Sequence, residues 1–131
     1  MTTTDIMKTR PSIIPWLSVD NAAQAVNFYQ NALGAEVSES LNDESGRIAV
    51  AQLSFGGALA WLQQDENANP HALGGSPVRM LLVVEDPQAL FTQAVVAGAT
   101  EVASMHEEHG WLTGRVTDPF GHDWEFSKPL N

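Results

Sequence analysis

The side chains in this sequence that could take part in acid–base or metal chemistry are scattered along the chain. The chain has four histidines and no cysteine, which excludes a disulfide, a thiolate nucleophile and a thiolate zinc site. His106 and His109 flank two glutamates, but this is not the H-E-x-x-H spacing that places two histidines on one helical face. We therefore expect residues 106–109 to form a solvated acidic loop. We also expect His71, in a linker, and His122, in a turn, to be solvated.

The four tryptophans offer a different chemistry, because an indole ring provides a stacking surface and one hydrogen-bond donor. Alternation along a strand places Trp16 on the same face as Ile14, and Trp61 on the same face as Leu59. Trp111 lies on a strand-like segment later in the chain. Ordinary core packing is the competing interpretation for any one of these rings.

Composition limits what these residues could serve. The 131 residues are 44% hydrophobic, enough for one ordinary core, and carry 16 Asp and Glu against 6 Lys and Arg, a net charge of −10. Nucleic-acid binding depends on basic side chains, so this balance argues against it. Apolar runs such as Met80–Val84 are far shorter than the ~20 residues of a membrane span. The first ten residues lack an apolar signal core, and we expect a cytoplasmic protein.

The chain repeats itself, and the repeat defines its organisation. Ile14–Val19 is matched by Arg79–Val84 at an offset of 65 residues, and Gly34 by Gly98 at an offset of 64. An Ala-rich amphipathic stretch precedes each glycine, where a helix commonly ends. We expect one compact domain over residues 12–131. Its predicted parts are a flexible N-terminal arm at 1–11, a first module at 12–64, a linker at 65–77 and a second module at 78–128.

Each module predicts a strand, a helix and three further strands. The first strands, Ile13–Val19 and Val78–Val84, are short apolar runs rich in β-formers. Asn21 and Asp86 are placed to cap the two helices. The segment Asp118–His122 predicts a hairpin turn in which the aspartate accepts backbone N–H groups. The later strands are predicted at residues 36–41, 47–55, 58–63, 100–105, 111–117 and 122–127.

Three separated motifs carry a family resemblance. Val19–Ala35 reads VDNAAQAVNFYQNALGA, Ala94–Thr100 reads AVVAGAT, and Gly114–Phe126 reads GRVTDPFGHDWEF. In this order they resemble the vicinal-oxygen-chelate superfamily, which includes glyoxalase I, bleomycin-resistance proteins and extradiol dioxygenases, and within it the PhnB-like branch. The resemblance implies an α+β fold with two tandem βαβββ modules, whose mixed sheets form half-barrels around a cavity.

The metal-dependent members hold a cation with four side chains from the first and last strands of each module. By resemblance those positions fall on Ile14, Trp61, Arg79 and Glu125. Only Glu125 could bind a divalent cation, and Arg79 would repel one, so no metal site and no cofactor are predicted. We expect Arg79 and Glu125 to form a partly buried ion pair instead. The alternative is that Arg79 reaches solvent at the mouth of the cavity.

The resemblance also implies which side chains face the cavity. Trp16 and Trp61, on adjacent strands, would form a stacking platform for a ligand. The excess of carboxylates could favour a cationic ligand. The complete predicted lining is Ile14, Trp16, Leu59, Trp61, Arg79, Leu81, Trp111, Arg115 and Glu125.

Three functions are compatible with this site. We favour a small-molecule binding protein of the bleomycin-resistance kind, with an aromatic cleft and no complete metal site. The first alternative is a metal-dependent lyase, isomerase or dioxygenase of the same superfamily. The second is a metal-free enzyme with Glu125 as base and Arg79 as electrostatic clamp, although an adjacent Arg opposes the raised pKa that this role needs. By resemblance we also expect a homodimer. From the composition we expect no nucleic-acid or membrane partner.

Overall fold

A computed structural model of the chain describes residues 12–70 and 74–131. The predicted arm at 1–11 and His71 lie outside the described residues. The first module contains β1 (Trp16–Val19), α1 (Ala22–Leu33), β2 (Glu36–Asn42), β3 (Ile48–Phe55) and β4 (Ala58–Gln64). The second contains β5 (Arg79–Val83), α2 (Pro87–Val96), β6 (Thr100–Glu108), β7 (Trp111–Thr117) and β8 (Asp123–Pro129).

The strands form two four-stranded sheets with the same connectivity. Their orders are β1-β4-β3-β2 and β5-β8-β7-β6. In each sheet the first strand runs parallel to the last strand of its module, and the other neighbours are antiparallel. The predicted α+β fold of two βαβββ modules with mixed sheets is therefore confirmed. Trp16 lies opposite Trp61 in one sheet, and Leu81 lies opposite Glu125 in the other.

Local sequence signals place both helices. The Asn21 side chain accepts a hydrogen bond from the Gln24 amide at 3.1 Å, and Asp86 accepts one from the Ala89 amide at 3.0 Å. The first helix ends at Gly34, whose φ of 69° is the left-handed conformation that glycine favours. The buried faces of both helices and of the alternating strand positions form one shared core. Neither helix, among the described residues, is long and apolar enough to cross a membrane.

Two details of the prediction were wrong. Residues His106–Glu108 belong to β6 rather than to a loop, because their backbone pairs with β7 up to the turn at His109 and Gly110. Their side chains are exposed, as expected. The first strand begins at Trp16 rather than Ile13, since Pro15 has no N–H to give to the sheet.

A buried carboxylate joins the two modules. Asp118 is 2% exposed, and its Oδ2 accepts from the Tyr29 hydroxyl at 2.5 Å and from Trp124 Nε1 at 2.9 Å. Its Oδ1 accepts from the amides of Phe120 and His122 at 2.9 and 3.0 Å. The predicted role of Asp118 in the turn is confirmed, and its contact with Tyr29 on α1 also ties the turn to the first module.

Burial and the nearby Asp118 carboxylate raise the pKa of Tyr29 well above the ordinary value of 10.0. In the unfolded chain this phenol ionises near its ordinary pKa, so stability should be intact below pH 10 and fall as the pH rises beyond it. Tyr29 is the only tyrosine, so tyrosinate absorbance reports it alone. We expect ionisation to coincide with loss of the circular dichroism signal. Ionisation of Tyr29 in a chain that is still folded would contradict this prediction. Tyr29→Phe removes the phenol, so the stability of that variant should fall less as the pH rises above 10.

Candidate functional site

A cavity of about 720 Å³ lies between the two modules. The start of β4 and the residues in and before β1 line one side, and β5 lines the other. Two core side chains, Leu17 and Trp124, also contribute to the lining. The lining residues are Ile13, Pro15, Trp16, Leu17, Phe55, Ala58, Leu59, Ala60, Ser76, Val78, Arg79, Met80, Leu81, Leu82, His122 and Trp124.

Most of this lining is apolar. Ser76, Arg79 and His122 are its polar side chains, and no Asp or Glu is found among the described residues that line it. The carboxylates that give the chain its net charge of −10 therefore lie elsewhere. The expectation of a cationic ligand has no support from the lining.

Four residues of the predicted lining meet in this cavity: Trp16, Leu59, Arg79 and Leu81. The rings of Trp16 and Trp61 stack on each other, with centroids 5.8 Å apart and planes inclined by 26°. Trp61 is not itself part of the lining, but it supports the half-exposed ring of Trp16. An indole held on one face by a second indole offers its other surface to a flat ligand.

The predicted ion pair is present. Arg79 Nε lies 2.7 Å from Glu125 Oε1, with side-chain exposures of 52% for the arginine and 16% for the glutamate. Thr113 Oγ1 donates a 2.7 Å hydrogen bond to the other carboxylate oxygen, Oε2. Glu125 is thus engaged on both oxygens, while Arg79 extends to the surface at the edge of the cavity.

This arrangement does not fit a metal centre. Ile14 and Trp61 carry no ligating atom, and Arg79 places a positive charge against Glu125, the only carboxylate of the four positions. Within residues 12–70 and 74–131, no three His, Asp or Glu side chains come close enough to hold an ion.

The remaining predicted site residues lie outside the cavity lining. Ile14 precedes β1 and is partly exposed. Trp111 and Arg115 lie on β7, on either side of the buried Thr113. Whether these three, or Glu125 directly, contact a ligand stays a prediction.

The exposed His106 lies on β6, opposite Thr113. The carbonyl of Ser104 and the carboxylate of Glu108 raise the pKa of His106, and the hydrogen bond from His106 lowers the pKa of Glu108. His106 and Glu108 lie at the end of β6 and are not part of the cavity lining.

His122 is one of the cavity residues that sequence reasoning missed. It was predicted to be solvated, yet it is partly buried, lines the cavity, and places Nε2 2.9 Å from the Ser18 carbonyl oxygen. A carbonyl only accepts hydrogen bonds, so Nε2 carries the proton and donates. The turn signal around His122 is local, whereas Ser18 belongs to the other module, 104 residues away.

The family is settled by comparison with known domains. The family model described as a glyoxalase-like domain matches residues 16–127. The chain belongs to this family. The predicted membership of the vicinal-oxygen-chelate superfamily is thereby confirmed, together with the fold that it implied.

Relatives of this glyoxalase-like chain come from distant organisms. An uncharacterized protein of Mycobacterium bovis is 35% identical over 128 residues, covering 92% of this chain and 84% of the relative. An uncharacterized protein of Arabidopsis thaliana is 31% identical over 125 residues, covering 86% and 74%. The X-ray structure of the Arabidopsis gene product superposes with a TM-score of 0.68 at 27% identity, covering 91% of this chain and 99% of that one.

More distant structures share the fold alone. TioX from Micromonospora sp. ML1 superposes with a TM-score of 0.70 at 21% identity, covering 90% of this chain and 95% of TioX. The fosfomycin resistance protein FosX from Listeria monocytogenes, in complex with Mn(II) and sulfate, superposes with a TM-score of 0.71 at 12% identity. The match covers 92% of this chain and 93% of FosX. Such varied names show that this fold serves more than one function.

Proposed function

We propose that this glyoxalase-like protein binds a small, largely apolar organic molecule in the cavity between its modules, without a metal ion. The observation that carries the proposal is the apolar lining of a cavity of about 720 Å³, with the supported ring of Trp16 at its wall. This volume falls within the range of about 300–1,000 Å³ that is typical of small-molecule sites. Few polar groups interrupt the lining, as in most ligand pockets.

The metal-dependent alternative has less support from the site. A lyase, isomerase or dioxygenase of this superfamily would need ligands at the four first- and last-strand positions. Here two of them are Ile14 and Trp61, and the other two are engaged with each other. A metal-free enzyme with Glu125 as base is also disfavoured, because one carboxylate oxygen is ion-paired with Arg79 and the other accepts a hydrogen bond from Thr113. The expected homodimer stays a prediction.

Binding can be tested with the neutral fluorescent probe N-phenyl-1-naphthylamine, a flat apolar molecule whose emission rises in apolar surroundings. We expect saturable binding to the wild type and an approximately tenfold weaker affinity in Trp16→Ala, because the stacking surface and its apolar area are lost. If the ligand occupies this cavity, Trp111→Ala, which removes the same ring from β7 outside the lining, should change the affinity less than about twofold.

Two outcomes would contradict the proposal. One is the absence of saturable binding to the folded wild type, and the other is an equal loss of affinity in both tryptophan variants. Dialysis against a chelator before the titration should leave the affinity unchanged. A loss that added divalent metal restores would favour the metal-dependent alternative.

A further inference from the structure

We propose that the ligand is an apolar organic anion, such as an aromatic carboxylate or sulfonate, whose acidic group is bound by the Nη groups of Arg79. This inference rests on the proposed function and specifies its ligand class. Arg79 is the only Lys, Arg, Asp or Glu among the described lining residues. A single guanidinium in an otherwise apolar cavity marks where the charged end of a ligand would lie.

The guanidinium is held by one edge and open at the other. Its Nε contacts Glu125 at 2.7 Å, and no ion pair or hydrogen bond to another residue is found for Arg79 in the described part of the chain. The side chain is half-exposed and borders the cavity. Arginine carries five N–H donors in a planar fork, so the donors on the two Nη atoms can meet both oxygens of an acidic group.

A buried polar network fixes the orientation of this fork. The Oε2 atom of Glu125 accepts from Thr113 Oγ1 at 2.7 Å, and Thr113 Oγ1 lies 2.6 Å from Ser127 Oγ. Thr113 and Ser127 are both buried. The carboxylate is therefore anchored to the sheet before any ligand arrives, and Glu125 acts as a positioning residue for Arg79. Such preorganisation lowers the entropy that binding must overcome.

The rest of the lining complements an apolar body attached to that acidic group. Leu81 lies on the same strand as Arg79, and Trp16 and Leu59 come from the first module. Glu125 is paired with Arg79, and Asp123, opposite Arg79 in the sheet, accepts a hydrogen bond from Thr117, so these two carboxylates already have partners. The acidic group of the ligand would meet Arg79 through charge-assisted hydrogen bonds.

Two probes that differ by one acidic group separate this inference from the proposed function. 8-Anilinonaphthalene-1-sulfonate is N-phenyl-1-naphthylamine with a sulfonate added. In Arg79→Gln we expect the dissociation constant of the sulfonated probe to rise about tenfold, because its charged partner is gone. The dissociation constant of the neutral probe should change less than twofold, since the apolar walls are intact. Arg47→Gln, at an exposed turn of the first module, makes the same change in net charge and should leave both probes unaffected.

The double variant Arg79→Gln/Glu125→Gln removes the concern that an unpaired Glu125 repels the sulfonate. In this double variant the affinity for the sulfonated probe should stay as low as in Arg79→Gln. Recovery of wild-type affinity there would overturn the inference, as would parallel changes of both probes or no change in Arg79→Gln. If Arg79→Gln does not fold by circular dichroism, the double variant gives the same comparison with no unpaired charge. Failure of the wild type to bind either probe would instead reject the proposed function.

Discussion

Replacing Asp118 with alanine should lower the free energy of unfolding by about 3–5 kcal/mol. The substitution leaves four donors without their acceptor: the Tyr29 hydroxyl, the Trp124 indole N–H and two backbone amides. Tyr29 and Trp124 are almost fully buried, so water cannot readily replace the lost carboxylate. A buried donor left unsatisfied costs about 1–3 kcal/mol, and losses within one network are not additive.

The chain contains its own control for this effect. Asp43 begins a loop with the same hydrogen bonds: its Oδ1 accepts from the amides two and four residues later, at 2.9 and 3.0 Å. A glycine with positive φ stands three residues after each aspartate, 86° at Gly46 and 92° at Gly121. Asp43 is exposed, and the hydrogen bonds of its side chain stay within its own loop, so Asp43→Ala should shift the unfolding midpoint far less than Asp118→Ala.

Urea unfolding followed by circular dichroism and by tryptophan fluorescence would measure both variants. The two backbone-amide bonds are common to both loops, so the difference between the variants reports the contacts of Asp118 with Tyr29 and Trp124 less the hydroxyl bond from Ser45 to Asp43. Equal shifts for Asp43→Ala and Asp118→Ala would show that Asp118 acts only within its turn. Asp118→Asn, which keeps one carbonyl acceptor, should lie between alanine and the wild type.

Sequence predicted the local features of the fold and missed the contacts between modules. The caps at Asn21 and Asp86 and the turn at Asp118 depend on neighbours within four residues, so spacing alone was enough to find them. The bond from Tyr29 to Asp118 spans 89 residues. Tyr29 was predictable only as part of the apolar face of α1, since periodicity does not reveal which group its hydroxyl meets.

The same distinction explains the site. Alternation along each strand gave the faces of Trp16 and Trp61, whereas their nearness on adjacent strands and the pairing of Arg79 with Glu125 followed from the family resemblance. The cavity lies between the modules, so its lining depends on how the two sheets pack together. No motif in either module encodes that packing, and the lining of this cavity therefore includes residues such as Met80 and His122 that the prediction did not name.

Gly114 also illustrates a role that the sequence could not reveal. It stands in a family motif, on β7, without a positive φ, so no backbone strain requires glycine there. A Cβ atom at this position would lie 2.5 Å from Met105 Sδ and 3.1 Å from a ring carbon of Phe91. Phe91 is buried on α2, so the glycine allows this helix to pack closely against its sheet.

Gly114→Ala should therefore lower the free energy of unfolding by about 1–3 kcal/mol, the usual cost of overpacking a core. The sign of this change in the free energy of unfolding is informative, because without a clash alanine is favoured over glycine inside a strand by roughly 0.5–1 kcal/mol. Met105→Ala removes the flexible sulfur that the new Cβ atom would meet. In the Met105→Ala background, Gly114→Ala should therefore lower the free energy of unfolding by less than in the wild type, although the contact with Phe91 remains. Urea unfolding of the four proteins in this cycle gives the coupling between the two sites. Two results would show that the sheet moves away from α2 and that close packing does not require glycine. One is a Gly114→Ala variant that is more stable than the wild type. The other is a Met105→Ala substitution that lowers the free energy of unfolding equally with glycine or alanine at position 114.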